Sequence, residues 1–241
     1  MPDSAAKLRV ILTGLVTLAA GEEAILLTDV AQRADEGVPD LWGALPTIAH
    51  TSEFRDEQVQ RLAAIRQGAQ PPEFPRIEHS SPDTYRRYSQ PDAGAVSELS
   101  RTTNAALIDE TQRCSDEDLL DPSRNPWLRG RQLWLQIIVR GFWHPTGHIG
   151  DYYTQHGRAD RALALHTHAL ATAQYLSAPA MAIGMAYYGL ACTQAVIGQT
   201  NDAISSLGLA VANNPDLREH ASTEPDLGGL RDAGRLTAVL A

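Results

Sequence analysis

Between Ser4 and Arg33, residues Leu8, Ile11, Leu12, Leu15, Val16, Leu26, Leu27 and Val30 fall at helical spacing. Their side chains therefore gather on one stripe of a long α-helix, with a bend expected near Gly21. A stripe of that length is stable in water only when other elements cover it. No segment shows the alternation of apolar and polar residues that marks a half-buried strand. The covering elements are thus expected to be helices, and the chain reads as all-α. The same stretch, LRVILTGLVTLAAGEEAILL, is apolar enough to imitate a signal or a membrane span, but Thr13, Gly14 and Thr17 interrupt it and Glu22 and Glu23 cut it short. A buried amphipathic helix is the expectation.

Turn chemistry in EGVPDLWGALP precedes a second helical run from about Leu45 to Gln67, whose ends carry Leu45, Ile48, Val59, Leu62 and Ile65. Its middle, HTSEFRDEQ, is polar. His50, Phe54, Glu57 and Arg61 share one stripe there, and Glu53 follows His50 by three residues. The Pro-rich text from Gly68 to Pro91 reads as a long connection, with a short helical turn after Ser81 because Pro82 suits a first helical position. A third helix is expected from Ala93 to Arg113. SDEDLLDPSRNP then supplies caps and loop residues before a fourth, apolar helix that begins in WLRGRQLWLQIIVRGFW and runs into GFWHPTGHIGDYY.

The C-terminal third follows a different pattern. Gly157, Ala162 and Ala169 recur forty-one residues later as Gly198, Ala203 and Ala210, at helix–turn–helix junctions in both copies. Small residues there let paired helices approach closely. The second copy, with Tyr187, Leu190, Ala191, Gly198, Ala203, Leu207, Ala210 and Pro215, resembles the tetratricopeptide-repeat pattern, Gln194 standing where that family usually has an aromatic residue. One and a half repeats cannot bury their own faces. The extension, residues 157–241, is therefore expected to dock on the domain formed by residues 1–156.

The motif HPTGH places His144 and His148 one helical turn apart, a spacing at which two imidazoles can share a divalent ion. His50, on the polar stripe of the second helix, is the third candidate ligand. Three neutral imidazoles leave coordination positions open, as a catalytic metal requires. Pro145 lies inside the pair, and its missing amide argues for a kink after Gly141 or for a new helix capped by His144.

The text WGALPTIAHTSEF, with Trp42 ahead of a helix carrying His50, followed about ninety residues later by HPTGH and a tyrosine-rich turn, resembles the DinB-like four-helix bundle superfamily, including its ClbS/DfsB relatives, over approximately residues 5–156. The resemblance implies a four-helix bundle with a divalent-metal triad at His50, His144 and His148, the metal being Zn, Ni, Fe or Mn. It also implies thiol-dependent transferase or isomerase activity with a low-molecular-weight thiol such as mycothiol or bacillithiol, or detoxifying hydrolysis of reactive molecules, and it makes a homodimer an option.

Around the triad, Asp151, Glu53 and Glu57 are placed to orient imidazoles. Tyr152 can orient substrate or donate a proton, and Arg140 suits an anionic group on substrate or thiol. Trp42, Phe142 and Trp143 either wall the pocket or fill the core. His79, His156, His166, His168 and His220 are read as structural or exposed, and Cys114 and Cys192 as packing residues rather than nucleophiles. Two cysteines outside any CxxC pattern point to a cytoplasmic chain without a disulfide framework. The formal net charge of −9 argues against a nucleic-acid partner, and no membrane partner is expected. Two functions compete: a metal-dependent enzyme acting on a small electrophile, and a non-catalytic protein that sequesters a small molecule or binds partners through its repeat-like helices.

Overall fold

The computed structural model describes residues 4–32, 42–74 and 92–240. The expected turn in EGVPDLWGALP falls partly outside these, and His79 and the helical turn after Ser81 lie wholly outside. Among the described residues every regular element is helical and none is a strand. The chain forms two compact units, Ser4–Tyr152 and Tyr153–Ala241.

In the first unit, α1 (Ala5–Gln32), α2 (Ala44–Arg66) and α3 (Ala93–Arg113) precede a short α4 (Asp116–Leu120). The Asp92 carboxylate caps α3 by accepting the Ala95 N–H at 2.8 Å, and the Ser115 hydroxyl accepts the Asp118 N–H at 3.0 Å at the start of α4. Helix α2 packs on α3, and α1 packs on α3. Leu8, Ile11, Leu12, Leu15, Val16, Ala19 and Leu26 of α1 are buried, so its expected stripe is a core stripe. Helix α1 is also long and apolar enough to cross a membrane by length and composition alone.

The fourth helical segment departs from the expectation at both ends of its apolar run. It starts at Leu133 rather than Trp127, because Arg129 (φ 52°) and Gly130 (φ 84°) adopt left-handed backbone between a 3₁₀ turn at Pro126–Leu128 and the helix. From α5 (Leu133–Ile138) it passes through a π-helical stretch, Val139–Trp143, into α6 (His144–Gln155). His144 does not cap a new helix; the irregularity expected after Gly141 takes the form of the π-helical stretch. His144 keeps right-handed helical angles (φ −62°, ψ −50°) and donates its N–H to the Val139 carbonyl five residues back. The wider π register absorbs the amide that Pro145 lacks without ending the helix.

Gly141 sits in this π turn because neighbours leave no room for a side chain. A Cβ there would lie 2.6 Å from Leu107 Cδ2 of α3 and 2.7 Å from Val16 Cγ2 of α1.

Beneath the apolar layer of the first unit lies a polar core. Glu23 and Arg55 are fully buried and paired. The Glu23 carboxylate also accepts from Ser100 Oγ at 2.6 Å, Asn104 Nδ2 at 2.9 Å and Thr51 Oγ1 at 3.3 Å, while Arg55 donates to Thr103 Oγ1 at 3.2 Å. A buried ion pair of this kind is tolerable only because additional hydrogen bonds replace the lost hydration.

The second unit contains α7 (Ala159–Tyr175), α8 (Ala180–Val196) and α9 (Thr200–Asn213), followed by α10 (Leu217–Thr223), α11 (Gly228–Asp232) and α12 (Thr237–Leu240). Helix α8 packs on both α7 and α9. Gly157 (φ 69°) and Gly198 (φ 81°) end the preceding helices in left-handed backbone. Ala162, Ala169, Ala203 and Ala210 are all buried, so each repeated small residue sits where two helices close.

Candidate metal centre

Helices α2 and α6 bring His50, His144 and His148 together, with one ligand-capable atom from each lying within 4.8 Å of the others. His144 and His148 point the same way along α6, and their Nε2 atoms are 3.1 Å apart. Their rings stand edge to face, with centroids 4.6 Å apart at 89°. The His50 ring lies 5.1 Å from His144 and 4.9 Å from His148. Two imidazoles on one zinc at bond lengths of about 2.0–2.1 Å and a tetrahedral angle place their nitrogens roughly 3.3 Å apart. The His144–His148 separation fits such an ion, and an all-imidazole donor set suits zinc and the late first-row metals.

His50 is fully buried, while the two α6 histidines are half-buried, so the cluster is reached from the α6 side. Trp42 meets His50 edge-on at 5.1 Å, and Phe54 packs on both His50 (4.7 Å) and His144 (5.0 Å). Phe54 therefore forms a wall of the site. Phe142 is buried in the core, and Trp143 is half-buried. Tyr152 is buried one turn beyond His148 on the same helix. Asp151 and Glu53 are half-buried on α6 and α2.

Arg140 and Glu57 belong to a second group of residues beside Phe54. The Arg140 guanidinium stacks on the Phe54 ring, Cζ 4.5 Å from its centroid. Glu57 pairs with Arg61 at 3.8 Å, one turn along α2. Arg61 in turn faces Phe74 at 4.7 Å and Trp127 at 5.6 Å. Burial lowers the pKa of Arg140, the Glu57 charge opposes the shift, and the Arg61 charge adds to it. Burial likewise lowers Arg61 against the pull of Glu57. The aromatic partners of Arg61 had no sequence signal, since Phe74 and Trp127 lie in a connection and a turn whose approach to α2 is a long-range property.

A cleft of about 480 Å³ lined by Ile65, Gln70, Pro71, Asp118, Asn125 and Trp127 opens near the far end of α2. It is separate from the triad, since Ile65 follows His50 by about four helical turns. Trp127 is the residue common to the cleft and the Arg61 cluster.

Of the remaining candidates, His168 and His220 are exposed and His156 is half-buried. His166 is buried, and burial pulls its pKa down to about 4. Burial pushes the Cys114 thiol up to about 12, with Asp118 and Glu110 adding to the shift, so it carries no thiolate near neutral pH. Comparison with protein-family models, curated proteins and solved structures returned no match, and the centre is therefore read from its own geometry.

Proposed function

We propose that this chain is a metal-dependent enzyme acting on a small electrophilic molecule, with His50, His144 and His148 as ligands of one divalent ion. The observation that carries the reading is the convergence of three imidazoles from two helices, two of them with nitrogens 3.1 Å apart. When bound, zinc or a similar ion supplies Lewis acidity that polarises a carbonyl, lowers the pKa of a bound water or stabilises a thiolate. His50 holds its ring from within the core, while His144 and His148 present theirs at the accessible side. Trp42 and Phe54 exclude water from two faces of the cluster. Tyr152 is assigned to orienting substrate or donating a proton, Arg140 to holding an anionic group, and Glu57 to setting the charge beside Arg140.

The resemblance of the sequence to DinB-like proteins favours thiol-dependent transfer or isomerisation, with mycothiol or a related thiol as cosubstrate, or detoxifying hydrolysis. It also suggests bundle connectivity for the first unit, while the recurring small residues suggest tetratricopeptide-like hairpins for the second and the two cysteines outside any CxxC pattern a cytoplasmic location. The test is turnover: zinc-loaded protein with a low-molecular-weight thiol and an activated aryl halide should form the thioether faster than the thiol alone, and His148→Ala should abolish the difference. Tight metal binding with no acceleration across thiol and ester substrates would move the function to sequestration without turnover.

A further inference from the structure

Two guanidinium groups share the influence of one carboxylate beside the histidine centre: Arg61 pairs with Glu57 at 3.8 Å, and the Glu57 charge also acts on Arg140. Arg61 and Glu57 retain only 12% and 15% side-chain exposure. Both arginines lie on aromatic faces, Arg140 on Phe54 and Arg61 on Phe74 and Trp127, and among the described residues Arg61 alone of the two also makes an ion pair, with Glu57 at 3.8 Å. Among the described residues, Glu57 is the one carboxylate whose charge bears on both. The cluster thus carries a net positive charge in a poorly hydrated place. The Arg140 Nε is buried with no hydrogen-bond partner, so at least one donor of its planar fork is not used within the fold. A structural ion pair would be expected to neutralise its cation and satisfy its donors.

The geometry points to an anion subsite in which Arg140 and Arg61 hold a carboxylate or phosphate group of the substrate, with the histidine centre acting at its other end. The inference deepens the reading above and depends on it for where the reacting bond lies. Arg140 precedes His144 by four residues, and Phe54 touches both the Arg140 guanidinium and the His144 ring. The anionic group would therefore lie roughly one to two helical turns, or about 5–11 Å, from the centre. Phe54, in contact with both, offers an apolar face for the part of the molecule in between. The substrate class is an acidic small molecule with an apolar middle and an electrophilic far end. Guanidinium groups suit such recognition because their planar donor fork matches carboxylate and phosphate oxygens.

The test measures binding rather than turnover. 3-Phenylpropionate, its neutral amide and phenyl phosphate are titrated into zinc-loaded and metal-free full-length protein by calorimetry. The acid should bind at least about tenfold tighter than the amide, the gain expected from one charge-assisted interaction. Whichever of carboxylate and phosphate binds tighter assigns the anion. Arg140→Met should bring the acid and amide affinities together while leaving zinc content unchanged, and Arg61→Met should do the same if the first variant folds poorly. Equal affinity for acid and amide, no acid binding at millimolar concentration, or unchanged selectivity in both variants would overturn the subsite. Zinc bound without acid preference removes the subsite and leaves the metal reading standing. Acid preference in a protein that takes up no metal does the reverse.

Discussion

The two units solve core packing with opposite chemistry. The first buries Glu23, His50, Thr51, Arg55, Gln58, Ser100, Thr103 and Asn104 among its aliphatic residues. The second lines the contacts of α7, α8 and α9 with many small residues, Ala162, Ala169, Ala173, Ala182, Ala186, Ala191, Ala203 and Ala210, beside larger ones such as Leu165, Met185, Tyr188 and Leu207, and its buried cationic candidate, His166, is held neutral at physiological pH. Small apolar side chains bring helices close at little desolvation cost. Buried charges cost several kcal/mol each unless fully bonded. A core that accepts that cost, in the unit that also gathers three histidines, is consistent with a site whose shape matters. A core rich in small residues is consistent with a scaffold.

The largest expected effect breaks the polar core. Glu23→Ala strands the Arg55 guanidinium at zero exposure and should destabilise the first unit by about 3–5 kcal/mol, read from urea unfolding. Glu23→Met with Arg55→Met should recover most of that loss. A single variant costing less than about 1 kcal/mol would mean that the pair contributes no more than a surface bridge. Next, zinc at a hundredfold excess over its dissociation constant should raise the stability of the first unit by about 2.7 kcal/mol. The second unit should be unaffected, a contrast visible in hydrogen exchange resolved by segment.

The small-residue core is probed at Gly189, where a Cβ would lie 2.6 Å from His166 Nδ1. Gly189→Ala should cost about 1–3 kcal/mol by overpacking, and a neutral result would show that the α7–α8 contact yields easily.

The smallest effect is in the pH dependence of the second unit. The His166 pKa is lowered from 6.5 to about 4 by burial, so the unfolded state binds more protons in that window and stability falls as pH drops from 6.5 towards 4. Asp226 is raised from 3.8 to about 6 by burial and by Glu224, so its contribution has the opposite sign and is lost as pH rises through that range. In the wild type the two slopes oppose each other. Asp226→Asn should expose the His166 slope as an unfolding free energy lower at pH 4.5 than at pH 7 by about 1 kcal/mol or more, read from denaturant titrations; a flat profile in the variant would remove His166 from the account.

Most helices were legible because their periodicity is local: α3 runs from Ala93 to Arg113 as expected, and α1 and α2 agree within a residue or two. The histidine cluster was legible because an HxxxH pair and a polar stripe on another helix are both sequence patterns. Other features depend on partners distant in the chain. The π turn combines the lost Pro145 amide with the approach of Val16 and Leu107 to Gly141. Glu23, read as the residue that ends an apolar stretch, is instead the acceptor at the centre of the polar core, because Ser100 and Asn104 reach it from α3. Arg61 shows no signal for its aromatic cradle until the chain around Phe74 and Trp127 has folded.

The central claim, that His50, His144 and His148 hold one ion, is tested most directly by elemental analysis of untagged protein and of its His148→Ala variant, each after zinc reconstitution and desalting. The account predicts close to one zinc per wild-type chain and none retained by a folded variant. Equal metal content in the two proteins, or none in either, would contradict it and leave the three imidazoles as a packed cluster.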